Sequence, residues 1–217
     1  MTYKTNIKDG IADLCLDYPP VNAFNSQGWN DLAIELNRIS GDSSVRVVIL
    51  RANGKGFCAG VDIKELAEDE SKIVAVNKGC YESFKAVRAC KVPVIAAVHG
   101  FCLGGGVGLV GASDIVIASN DAYFGLPEVD RGALGAASHL ARMFPLQKVR
   151  RMMFTAEPIT ASEAYRLGAL EEIVSKEELI ISANKLATKI AEKSPLAIRL
   201  AKESLNGIEP HDVDKSY

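Results

Sequence analysis

The stretch PVIAAVHGFCLGGGVGLVGASDIVIA (Pro93–Ala118) decides how this chain folds. Its opening, Pro93–Val98, is an unbroken apolar run, the pattern of a strand buried on both faces. A glycine-rich turn follows at His99–Gly106. Gly106–Ala112 reads as a helix of small residues, and Asp114–Ala118 as the next buried strand. Buried strands separated by helices imply a layered α/β fold. The apolar region Val92–Ala118 is interrupted by Pro93, His99, Asp114 and repeated glycines. That punctuation is foreign to a membrane helix.

The same unit occurs once more upstream. VRVVILR (Val45–Arg51) is a β-branched run, Asn53–Gly60 is rich in glycine, and helical sequence continues to Leu66. Helical spacing also marks Val74–Cys90 through Val76, Cys80, Phe84 and Val87. Ahead of these units, Tyr3–Lys8 and Ile11–Leu16 flank Gly10 as a hairpin. Asn25 or Ser26 caps a helix carrying Trp29, Leu32, Ala33, Leu36 and Ile39, which ends at Gly41–Ser44. After a turn beyond Ala122–Gly125 the chain reads as helical, most clearly at Thr160–Leu167, Lys176–Lys193 and Pro195–Leu205.

Composition narrows the partners. The 217 residues are 48% hydrophobic and 24% charged, enough to bury a substantial core. A net charge of −2 gives no bulk attraction for nucleic acid, and the cluster Lys148, Arg150 and Arg151 reads as a solvated helix face. The five cysteines (Cys15, Cys58, Cys80, Cys90, Cys102) are odd in number and lack CxxC spacing. No disulfide framework, zinc site or other metal is expected. The polar start, MTYKTNIKDG, lacks a signal-peptide core, so the expected setting is cytoplasmic, with no membrane association.

The chemistry concentrates in two loops, GFCAGVDIKE (Gly56–Glu65) and GFCLGGGVG (Gly100–Gly108). Each follows a buried strand and opens a helix, where backbone N–H groups lack intrahelical acceptors. Glycine lets such a backbone approach a ligand closely. Two donors converging on one point would form an oxyanion hole. Neither loop ends in the Lys-Ser/Thr of a P-loop, and neither fits the dinucleotide-binding glycine pattern.

These loops, with FGLPEVDRG (Phe124–Gly132), PPVNAF (Pro19–Phe24), VPVIAAV (Val92–Val98) and the Ser113-Asp114 step, resemble the crotonase, or enoyl-CoA hydratase/isomerase, family over nearly the whole chain. The resemblance implies an α/β spiral of ββα units, here 1–155, and a C-terminal helical trimerisation region, 156–217. The chain ends at Tyr217, before the family pattern does, so that region reads as incomplete. Homotrimers or dimers of trimers are the implied assemblies, and the partner is an acyl-CoA substrate, with coenzyme A part of the substrate and no separate cofactor.

Carried over residue by residue, the oxyanion donors fall on Val61 and Gly105. Ala23, Ala59, Asp62, Ile63, Lys64, Gly104 and Pro127 fall on CoA- and substrate-binding positions, and Lys64 is a candidate partner for a CoA phosphate. Family hydratases use two glutamates. One position is Glu128, the other is occupied by Gly108, which on this reading leaves space in the pocket. Leu126 and Val129 are expected to raise the Glu128 pKa by burial. His139 is a further candidate for assisting water, His99 reads as structural, Asp62 as a helix cap, and Asp130 as a partner for Arg131 or for a neighbouring subunit. The wording DYPPVNAF, GFCAGVDIKE and FGLPEVDRGALGAASHL resembles the family's steroid-breakdown branch, which opens a bicyclic ketone CoA thioester by hydrolysis. An enoyl-CoA isomerase or atypical hydratase, and a non-catalytic CoA-binding or scaffold protein, are the competing expectations.

Overall fold

A computed structural model describes residues 3–209, apart from the Arg131 side chain. The expected Asp130–Arg131 pair and the last residues, Asp214–Tyr217, lie outside what is described. In chain order the elements are β1 (Tyr3–Lys8), β2 (Ile11–Leu16), β3 (Ala23–Phe24), α1 (Ser26–Gly41), β4 (Val47–Ala52), β5 (Gly60–Val61), α2 (Ile63–Glu68), α3 (Ile73–Arg88), β6 (Val94–Val98), β7 (Phe101–Leu103) and α4 (Gly105–Ala112). Then come β8 (Ile115–Ser119), β9 (Tyr123–Gly125), α5 (Ala137–Met143), α6 (Leu146–Thr155), β10 (Ile159–Thr160), α7 (Ala161–Arg166), β11 (Glu172–Val174), α8 (Leu179–Ala191) and α9 (Pro195–Ile208).

The main sheet has the order β1-β2-β4-β6-β8-β11. The β1–β2 hairpin is antiparallel, and every later neighbour pairs in parallel, as Leu50 with Ala96 and Ile95 with Ile115 show. Both faces are covered, which is why β4 and β6 read as continuous apolar runs. Val48, Leu50, Val94, Ala96 and Val98 face the core shared with α1, α3 and α4. The alternate residues Val47, Ile49, Ile95, Ala97 and Ile117 meet Leu179, Ala183 and Ala187 of α8. Among the described residues, no helix is long and apolar enough to cross a membrane.

The hairpin, the helix capped by Asn25, and the helices at α3 and α8 lie within a few residues of their sequence-based limits. Three expectations need correction. The turn His99–Gly106 contains β7, and the helix after it begins at Gly105 rather than Gly106. Beyond Gly125 the chain is not wholly helical, because β10 pairs with β9, and β11 completes the main sheet beside β8. Such two- and three-residue strands carry too few residues to show a period.

Parallel pairing brings the two glycine loops together. β4 and β6 run the same way, so the chain leaving each emerges at the same carboxyl-terminal edge. There β7 lies on the first loop: Phe57 N donates to Phe101 O at 2.9 Å, and Leu103 N to Cys58 O at 2.9 Å.

Candidate active site

The first loop is fastened from beneath by Asn22. Its buried amide nitrogen reaches the carbonyls of Asn53, Gly56 and Phe57 at 2.9–3.2 Å, and its oxygen accepts from Tyr18 N at 2.7 Å. Cys58 Sγ bonds Asn22 O at 3.0 Å, and burial pushes this thiol up to about 12. It is therefore a neutral packing group.

β5 then pairs with β3, Ala23 opposite Gly60 and Phe24 opposite Val61. Asp62 N donates to Phe24 O at 2.9 Å. Successive N–H groups of an extended strand point to opposite edges, so Val61 N–H points away from β3. Gly60 has φ +89°, and a Cβ there would stand 3.0 Å from Gly105 N and 3.1 Å from Leu103 O. Only a glycine allows the two loops to touch in this way.

On the other side, Gly104 turns the chain into α4 with φ +54° and ψ −119°. Its N–H is taken by Gly125 O at 3.1 Å, while its carbonyl accepts from Val107 and Gly108. Gly105 is the first residue of α4, where an N–H has no acceptor within the helix. Val61 and Gly105 thus lie on two loops that touch through Gly60.

Glu128 lies in a short 3₁₀ turn, Pro127–Arg131, and is brought to the same spot by β9, which pairs with β7. Its Oε1 is 2.7 Å from where a Gly104 Cβ would stand, and 3.3 Å from the corresponding point at Gly135. Oε2 is buried and has no hydrogen-bond partner among the described residues. Burial raises the carboxyl to about 6. Leu126 is itself buried, but Val129 is 42% exposed and does not enclose the acid as expected.

The space at Gly108 is the principal correction. A Cβ there would lie 2.2–2.5 Å from three ring carbons of Phe84, on α3. Gly108 leaves no vacancy, because Phe84 fills it. The ring is 2% exposed and sits between Trp29, at 5.7 Å between centroids, and His139, at 4.9 Å. His139 is 2% exposed, and burial, then Arg142 and Arg88, lower it to about 4. It is a neutral ring packed on Phe84. His99 is likewise buried, with Nε2 3.0 Å from Gly54 O, in agreement with a structural role.

The remaining candidates divide between rim and floor. Ala23 and Ala59 are half-buried around β5, and Pro127 starts the turn that carries Glu128. Asp62 caps α2, accepting from Lys64 N at 3.0 Å, and Ile63 and Lys64 are exposed on its first turn. Glu65 holds that helix against α1 by accepting from Ser26 N and Oγ, each at 2.7 Å. Trp29 was legible only as a core position of α1. Its ring lies under Gly105, where a Cβ would meet Cζ2 at 2.5 Å. Among the described residues there is no cluster of His, Cys, Asp or Glu able to hold a metal.

Known proteins share this architecture. The enoyl-CoA hydratase/isomerase family model matches residues 6–212. The chain is 51% identical over 211 residues to a (7aS)-7a-methyl-1,5-dioxo-2,3,5,6,7,7a-hexahydro-1H-indene-carboxyl-CoA hydrolase of Rhodococcus jostii, covering 96% of this chain and 82% of that protein. A protein of the same name from Mycobacterium tuberculosis is 50% identical, with coverages of 98% and 87%. The solved enoyl-CoA hydratase of Bacillus anthracis superposes with a TM-score of 0.92 at 30% identity, covering 99% of this chain and 86% of that one. The two loops, their contact through Gly60 and the fold around them have one common explanation: this chain belongs to the enoyl-CoA hydratase/isomerase family, the crotonases.

Proposed function

We propose that this chain hydrolyses a carbon–carbon bond in the ring of a bicyclic keto acyl-CoA, with Val61 and Gly105 holding the thioester oxygen and Glu128 as the acid/base. The observation that carries this reading is the buried carboxyl of Glu128, raised to about 6 and with Oε2 unpartnered among the described residues, beside the glycine turn. Relatives half identical to this chain are hydrolases of an indene-type diketone CoA thioester.

The chemistry follows from one carboxylate and two donors. Near pH 7 Glu128 is mostly ionised, so it can take a proton from water. The hydroxide formed adds to a ring ketone. The bond between that carbonyl carbon and its ring neighbour then breaks, leaving a carboxylic acid and an electron pair on the neighbour. Where that carbon is conjugated to the thioester, the charge reaches the thioester oxygen, facing Val61 N–H and Gly105 N–H. Glu128 returns the proton to carbon. One water is consumed, its hydroxyl on the new acid and its hydrogen on carbon, and the CoA thioester survives. One donor of this kind is typically worth about 3 kcal/mol of barrier.

Lys64 and Ile63, exposed at the rim, are proposed to meet the CoA moiety. The exposed apolar residues Leu196, Leu200, Leu205 and Ile208 of α9 favour assembly as a homotrimer or a dimer of trimers. A panel of CoA thioesters followed by mass spectrometry tests the reaction. The bicyclic diketone thioester should gain the mass of one water while CoA stays attached. Turnover of linear 3-enoyl-CoA alone would instead identify a double-bond isomerase, for which one carboxylate also suffices. Activity undiminished in Glu128→Ala would reject catalysis by this residue.

A further inference from the structure

Trp29 is fully buried in the first turn of α1, yet its Nε1 has no hydrogen-bond partner among the described residues. Buried indole N–H groups ordinarily find one. The position of the ring makes this orphan relevant. The indole atoms closest to the site of a Gly105 Cβ are Cζ2, at 2.5 Å, and Cη2, at 2.7 Å. Cζ2 and Nε1 are both bonded to Cε2, so the N–H adjoins the ring edge that faces Gly105.

Beside the preceding glycine, Gly104, Glu128 Oε2 is a buried acceptor without a donor among the described residues. Gly60 Cα touches both places: it lies 3.7 Å from the Cβ position of Gly104, beside Glu128, and 3.5 Å from that of Gly105, beside Trp29. A donor and an acceptor, both buried and unpaired among the described residues, therefore lie beside the pair of loops that carry Val61 and Gly105. The neighbours of the indole are the aromatic rings of Phe24, at 5.2 Å, and Phe84, at 5.7 Å, both edge-on. Neither ring supplies an oxygen or nitrogen acceptor.

We propose that the Trp29 indole N–H is a specificity-determining donor, which bonds a ketone oxygen of the acyl group distinct from the thioester carbonyl. The inference rests on the reading of this site as one for a keto acyl-CoA. A polar group kept unpaired in the free site is satisfied by a substrate carrying the matching oxygen and left unpaired by one without it. Trp29 would thus select keto acyl groups over plain ones. Its loss should reduce that preference about tenfold, the worth of one net hydrogen bond.

Trp29 is the sole tryptophan of the sequence, so its indole gives one assignable N–H signal. The test uses ¹⁵N-labelled full-length Glu128→Gln protein, in which turnover is blocked. It is titrated with the bicyclic diketone CoA thioester and, separately, with the matching thioester lacking the ring ketones. The amide signals of Val61 and Gly105 should move with both ligands. The Trp29 indole proton should move downfield with the diketone only. An indole signal that moves alike with both, or with neither, overturns the proposal while leaving the oxyanion reading intact. Amide signals unmoved by either ligand count against the oxyanion reading itself. As a second measurement, Trp29→Phe should bind the two ligands with a diketone preference about tenfold smaller than that of the parent, and an unchanged preference would overturn the donor role.

Discussion

Two glycines, one capping α4 and one within it, face different neighbours. At Gly104 the absent side chain makes room for a carboxylate, Glu128 Oε1, 2.7 Å from the Cβ site. At Gly108, one turn on, it makes room for the ring of Phe84, 2.2–2.5 Å from the Cβ site. Both glycines are required by close approach, but one admits a carboxylate and the other an aromatic wall. The difference teaches that a missing side chain on a catalytic helix need not mean a larger pocket. Here the space is filled by Phe84, whose ring packs between Trp29 and His139.

The comparison breaks most readily at Glu128. Glu128→Gln keeps the shape and removes the proton acceptor. We expect kcat to fall by about 10²–10⁴, with KM little changed, in steady-state assays. A loss under tenfold would place the acid elsewhere. Next is Gly105→Ala, whose Cβ would enter the space of Trp29 Cζ2 and displace the donor at the start of α4. The expected loss of kcat is about 10²–10³.

The wall gives a smaller effect. Gly108→Ala forces a methyl into the buried Phe84 ring and should destabilise the fold by about 1–3 kcal/mol in denaturant titrations. Phe84→Leu in the same chain should relieve part of that cost. Purely additive losses would mean that the two residues do not share one space.

The smallest effect separates the acid from its surroundings by pH. The folded-state value of Glu128, about 6, lies above the ordinary 4.5. Protonation thus favours the fold: this contribution is fully present below about pH 4.5 and is lost as pH rises through 6. Over that window the parent should lose about 2 kcal/mol relative to Glu128→Gln. His139 acts in the opposite sense. Its value of about 4 lies below 6.5, so its contribution is present above 6.5 and lost as pH falls toward 4. It is common to both proteins and cancels in the difference. Parallel stability curves would contradict the raised carboxyl.

Much of this site was legible in the sequence, because glycine loops after buried strands declare both the turn and the donors. Parallel strands then place the loops side by side, and the family motifs mark Val61, Gly105 and Glu128. The occupant of the Gly108 space was not legible. Phe84 shows only the helical period of a core residue, and no local pattern says that its ring faces a glycine on another helix. Trp29 was hidden in the same way, since an amphipathic stripe gives burial but not the direction of an N–H. Strands β3, β5, β10 and β11 were missed because two or three residues carry no alternation, and pairing partners distant in sequence define them.

The central claim is that one thioester oxygen meets two backbone donors while Glu128 faces the acyl group. It is tested most directly by a crystal structure of Glu128→Gln with the bicyclic diketone CoA thioester bound. The account predicts the thioester oxygen at about 3 Å from both Val61 N and Gly105 N, with the residue-128 carboxamide against the acyl ring. A thioester oxygen bonded to neither N–H, or an acyl ring on the opposite side of the loops from residue 128, would contradict it.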